Sequence, residues 1–211
     1  MRYLDIDGWS RKAHYDYFRG LDYPHFNICG NVDITEFNRF IKEKKANFFL
    51  SFLYASVRIA NNIEELRYRI REDKVVVHDQ VHPSFTIMTE KEVFGFCTAS
   101  YSEDYNSFCI SCTKAVEKAK ANLSVEDEPG RDDLFYITSI PWISFTSITN
   151  PVHMRPVDSI PRISWGKYFE VGERIMLPLS VQVHHALADG AHIGHFFMEL
   201  QELLDAPEKY L

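Results

Sequence analysis

The chain has 211 residues, 45% of them hydrophobic and 25% charged, which suits one soluble domain with a sizeable core. A formal charge of −7 argues against nucleic acid or an anionic membrane surface as partner. No apolar run reaches the roughly 18 residues of a spanning helix. Residues 1–7 carry no signal-like apolar core, so a cytoplasmic location with four reduced cysteines is expected.

Asp33, Ile34, Thr35 and Glu36 have the polar start of a helix, with Phe37, Phe40 and Ile41 at helical spacing behind them. Residues 48–60 are apolar nearly all round, as in a buried helix, and 64–70 add another turn or two. The pattern then turns strand-like over 74–79, 85–89 and 93–100, runs rich in Val, Ile, Thr and Phe. Tyr105, Phe108, Cys109, Cys112, Val116 and Ala119 form one helical stripe. The Cys-x-x-Cys inside it has no second pair and sits at no strand-to-helix turn, which favours packing over redox or metal use.

Residues 124–133, acidic and containing Pro129-Gly130, read as an exposed loop. Strands are expected at 134–138 and 143–149, then a hairpin of 162–170 with 175–184 turning through 171–174. A helix over about 191–204 turns Ile193, Phe196, Phe197, Leu200 and Leu203 inward. No Gly-rich phosphate loop appears. This order predicts one domain over 1–211, an α/β two-layer sandwich of a mixed β-sheet with helices packed on one face.

The segment 181–190 is richest in chemistry: it leaves an apolar strand, carries His184 and His185, and ends in Asp189-Gly190 before the last helix. A strand end opening into a turn presents side chains to a cleft, and Asp-Gly supplies tight-turn geometry. A histidine there can take a proton and return it in one cycle. Two structural readings stay open, a packing His-His pair and a simple helix cap. A metal reading is open too, since His192 and His195 follow closely. The spacing fits no usual zinc pattern, and both of those histidines fall on the polar side of the helix, so no metal is expected.

Residues 177–185, followed by Ala186 and Asp189-Gly190, resemble the signature of the chloramphenicol acetyltransferase family. His-His-x-x-x-Asp-Gly alone recurs in condensation domains, plant acyltransferases and, in variant form, dihydrolipoamide acyltransferases. Here the likeness spans nearly the whole chain: residues 9–15, 32–35, 65–67, 141–142 and 167–168 follow the family's order and approximate spacing.

The resemblance implies a CoA-dependent acyltransferase fold, acetyl-CoA as co-substrate, no permanently bound cofactor, and a small-molecule hydroxyl acceptor, chloramphenicol first. It further implies a homotrimer with active sites between subunits. His185 becomes the general base, with His184 facing the opposite way and Asp189 paired structurally to Arg11. Thr138 takes the place of the family's oxyanion-binding serine, with Ser139 beside it, and Ser164 that of a water-holding threonine. Tyr168 and Lys167 correspond to CoA contacts. Tyr17, Phe18, Phe26, Phe94, Phe96, Trp142 and Ile148 fall at acceptor-pocket positions, with core packing as the alternative for the aromatics. Asp22 stands where the family has leucine, and Ile148 where it often has phenylalanine. These departures keep open another hydroxyl or amine acceptor, and a non-catalytic ligand-binding relative is the remaining reading.

Overall fold

The computed structural model describes residues 1–89, 92–122, 124–125 and 130–211. The chain opens with a short strand, β1 (Arg2–Tyr3), a two-turn helix, α1 (Lys12–Arg19), and a long strand, β2 (His25–Asp33). Helix α2 (Thr35–Lys44) begins where Asp33 accepts the Thr35 amide at 2.9 Å. Asn47 caps α3 (Phe48–Asn62) by accepting the Leu50 amide, and that helix is buried along most of its length. A 3₁₀ turn at Glu64–Arg67 leads into β3 (Tyr68–Arg71), β4 (Lys74–Val77), β5 (His82–Met88) and β6 (Phe94–Thr98). Asp104 caps α4 (Tyr105–Ala121). Then come β7 (Leu134–Ile140), β8 (Arg162–Gly166), β9 (Phe169–Val171), β10 (Arg174–His184) and α5 (Gly190–Asp205).

Strands β1, β4 and β3 make a small sheet, and the large one runs β2-β10-β8-β7-β5-β6 with β9 also paired to β10. Strand β7 is parallel to both β5 and β8, while the other pairings are antiparallel, so the large sheet is mixed. Strand alternation sorts side chains into two layers. Leu177, Leu179, Val181 and Val183 of β10 join Ile163, Trp165 and Ile137 in one core with α2 to α5. Each such burial contributes about 1.5–3 kcal/mol.

The other face is polar. Ser84, Tyr136, Arg162, Gln182 and Asn27 lie on one rung across five strands, and Thr138, Ser164, Ser180 and Cys29 on the next. Residues 141–161 cross this face as a strap. Asn27 Nδ2 donates to the Ile148 carbonyl at 2.7 Å, and Gln182 Oε1 accepts the Asn150 amide at 2.9 Å. Arg162 Nε donates to the Pro151 carbonyl at 2.9 Å. The strap passes so close to Gly166 that a Cβ there would lie 2.8 Å from the Ile143 carbonyl oxygen.

Several expectations change. The β-branched run 143–149 forms no strand, because polar side chains of the sheet take up backbone groups along the strap. Residues 64–70 split into the 3₁₀ turn and β3. Lys167 and Tyr168 interrupt the expected first arm of the hairpin. Part of the expected loop, residues 126–129, lies outside the described residues. Its end is half-buried, with Asp132 holding Arg71 through two bonds of 2.6 and 2.7 Å. All four cysteines are free, and burial pushes the Cys112 thiol up to about 12, which suits its packing role. Among the described residues no helix is long and apolar enough to cross a membrane.

Candidate active site

Strand β10 delivers two adjacent histidines to opposite sides. His184 turns to the polar face, where its ring lies 5.2 Å from that of His25 on β2. Its Nδ1 accepts the Ala186 amide at 3.2 Å. Burial, reinforced by His25, holds the His184 imidazole down to about 3, so near neutral pH the ring is uncharged and keeps a single N–H.

His185 points the other way. Phe18 of α1 stacks on its ring at 3.8 Å with a 12° tilt, and Phe26 of β2 packs at 4.4 Å. Its Nδ1 lies 3.1 Å from the Ala188 carbonyl oxygen. A carbonyl only accepts, so Nδ1 carries the hydrogen, and in the neutral ring Nε2 keeps a free lone pair. That lone pair is a base.

The turn is held from behind. Ala186 and Leu187 are buried in a second, smaller core with Tyr15, Tyr68, Val75 and Val77 from α1, β3 and β4. Asp189 is the N-cap of α5, accepting the Ala191 amide at 3.0 Å, and forms an ion pair with Arg11. Burial raises the Asp189 carboxyl, but Arg11 and His192 outweigh it, and the net shift is downward. Arg11 also reaches the His185 carbonyl at 3.5 Å, tying the ends of the turn together. His192 corrects the sequence reading of a polar-side residue. It is half-buried, accepts the Asp189 amide on Nδ1 at 3.0 Å, and sets Nε2 3.5 Å from Glu65.

A cleft of about 1160 Å³ opens elsewhere on the chain. Phe94, Phe96, Tyr136, Thr138, Trp142 and Asn150 contribute to its wall, whereas His185 does not. The predicted residues therefore divide. Thr138, Phe94, Phe96 and Trp142 meet at the cleft, while His185, Asp189, Arg11, Phe18 and Phe26 gather at the turn, with exposed Tyr17 against Phe18. Ser164 pairs with Thr138 in the sheet and hydrogen-bonds Asn150 at 3.2 Å. Ile148 lies on the strap and is not part of the cleft wall. Lys167 and Tyr168 are exposed between β8 and β9, with the Tyr168 ring 6.3 Å from Phe48 at the start of α3. Ser139 pairs with Trp165, whose ring packs on Phe49 and Phe52, so its side chain lies on the helical face and that of Thr138 on the polar one, although both residues border the cleft.

Sequence reasoning missed Tyr136, Arg162, Asn150, Glu65 and His192 as site residues. Arg162 is held by Asp158 at 2.6 and 2.9 Å, its guanidinium 5.3 Å from the Tyr136 ring. Alternation from Thr138 and Ser164 would have flagged Tyr136 and Arg162; Asn150 carried no such signal.

A family model described as chloramphenicol acetyltransferase matches residues 1–201. The chain belongs to the chloramphenicol acetyltransferase family. A chloramphenicol acetyltransferase of Klebsiella sp is 31% identical over 203 residues, 96% of this chain and 93% of that one. Chloramphenicol acetyltransferase 3 of Escherichia coli is 30% identical over 208 residues, 98% of each. A solved chloramphenicol acetyltransferase superimposes with a TM-score of 0.84 at 27% identity, covering 96% of this chain and 99% of its own. The cubic core of the pyruvate dehydrogenase multienzyme complex matches with a TM-score of 0.70 at 20% identity, covering 94% and 88%, and shares the fold. Chloramphenicol acetyltransferase family membership thus rests on residues 1–201, cleft and turn included.

Proposed function

We propose that this family member moves the acetyl group of acetyl-CoA to a hydroxyl of chloramphenicol, with His185 as general base. The observation that carries the reading is the bond from His185 Nδ1 to the Ala188 carbonyl, which in the neutral ring leaves Nε2 as the basic atom. In a ternary complex Nε2 takes the hydroxyl proton, and the oxygen attacks the thioester carbonyl. The Thr138 hydroxyl donates to the oxyanion. The C–S bond then breaks, and the imidazolium returns its proton to the thiolate. Lys167 and Tyr168 offer a cation and an aromatic face to CoA.

A homotrimer completes the site. His185 lies outside the cleft wall, so the imidazole of one subunit would face the cleft of the next. Trp142 and Phe94, 67% and 48% exposed in the isolated chain, suit cover by a neighbour. A cytoplasmic location accords with four free cysteines. A second acceptor class, another hydroxyl or an amine, is favoured by the polar residues Tyr136, Asn150 and Arg162 in the cleft wall.

The test is thiol release from acetyl-CoA with chloramphenicol, the product identified by mass. Turnover only with other acceptors selects the second reading, and no turnover with any acceptor refutes both. In the same assay Thr138→Ala should lower kcat by ~10²–10³-fold through loss of the oxyanion donor. Thr138→Ser keeps the hydroxyl and should stay within severalfold of the parent.

A further inference from the structure

Glu65 and His192 sit behind the catalytic turn and take no part in the steps above. Ala188 and Asp189 are joined by one peptide group. Its carbonyl accepts from His185 Nδ1 at 3.1 Å, and its N–H donates to His192 Nδ1 at 3.0 Å. A peptide group is planar, with a barrier to twisting of ~18–20 kcal/mol. The two bonds on its opposite edges are therefore not independent, and tilting the plane to lose one misaligns the other.

His192 occupies the third position of α5, where a capping box returns a side chain to the N-cap amide. Glu or Gln usually fills that place. An imidazole serves only if Nδ1 is bare, which puts the ring hydrogen on Nε2. Glu65 Oε1 lies 3.5 Å from Nε2 and favours that form. Asp189 Oδ1 also lies 2.9 Å from His192 Nδ1, and a proton on Nδ1 would satisfy it. That oxygen already accepts the Ala191 amide, and Arg11 pairs with its twin. A proton on Nδ1 would also meet the Asp189 N–H and leave that amide without its acceptor.

We propose that Glu65 and His192 are positioning residues, which lock the peptide plane between Ala188 and Asp189 and through it the tautomer and aim of His185. The inference rests on reading His185 as the base. Its first test needs no acceptor, so the two can fail separately. Long-range ¹⁵N correlation spectra of the unmodified protein at neutral pH should show His185 protonated on Nδ1 and His192 on Nε2. The opposite tautomer of either ring, or an imidazolium at His192, overturns the proposal.

Variants supply the second test. His192→Gln keeps an acceptor at the third helical position and should hold kcat within about threefold of the parent. His192→Leu removes it. There kcat should fall by up to ~10²-fold, with KM for both substrates within about twofold, and His185 should become a tautomer mixture. Equal losses in the Gln and Leu variants overturn the proposal, as does a Leu variant with parental rate and parental His185 spectrum. Should the Leu variant fail to fold, the spectra of the unmodified protein still decide.

Discussion

Replacing His185 with alanine should lower kcat for acetyl transfer by ~10²–10⁴-fold, the range for a positioned acid–base group. The reaction needs one group to remove the hydroxyl proton and give a proton to the departing sulfur, and His185 is the only histidine of the turn free for this. His184 is buried and neutral, and its Nδ1 is occupied by the Ala186 amide. The alanine variant leaves a ring-sized slot between Phe18 and Phe26. Added imidazole should therefore restore part of the rate. Steady-state thiol release, with circular dichroism to show an intact fold, checks both points. A variant within fivefold of the parent would remove His185 from the mechanism.

Acid should unfold the protein through its buried histidine pair. The His184 imidazole is held down to about 3, first by burial and then by the neighbouring His25, against an ordinary value of 6.5. Burial lowers His25 as well. Asp158 opposes the shift in both rings, and Arg162 adds to it at His25. Between the depressed and the ordinary values the unfolded chain binds more protons than the folded one, so stability rises with pH there. The contribution is whole above about pH 6.5 and shrinks as pH falls toward 3. His184 alone should cost about 2 kcal/mol by pH 5. Urea midpoints at pH 7.5 and pH 5, at one fixed protein concentration, measure this. His184→Gln keeps an acceptor for the Ala186 amide and removes one titrating ring, so the gap between its midpoints should narrow, with His25 supplying what remains. A parental midpoint unchanged between the two pH values would contradict the burial argument.

What the sequence disclosed depended on how each segment buries its side chains. Helices α3 and α5 were legible because a continuous apolar surface faces one core. Strand β2 was missed because its inward series Phe26, Ile28, Gly30, Val32 has a gap. Gly30 leaves room for the Phe197 ring, which approaches to 3.2 Å of where a Cβ would stand. Helix α1 was missed because Tyr15 is its only buried residue. The run 143–149 misled because β-branched composition does not reveal whether a strand edge is free.

The site shows the same division. His185, Asp189 and Thr138 could be placed by motif, since their chemistry is local to a turn or a strand. Their distribution over two walls could not, because it depends on which way each strand faces. Glu65 and His192 lie 127 positions apart in the chain and meet only through folding.

The separation of the imidazole from the cleft on a single chain means that defects should complement. A subunit without the His185 ring still offers a sound cleft, and a subunit without the Thr138 hydroxyl still offers a sound imidazole. Co-expressed in equal amounts, the two crippled proteins should mix within the proposed trimer, leaving about a quarter of the junctions whole. The mixture would then outperform both of its parents, and the excess would count the junctions at which each chain lends its neighbour the missing half.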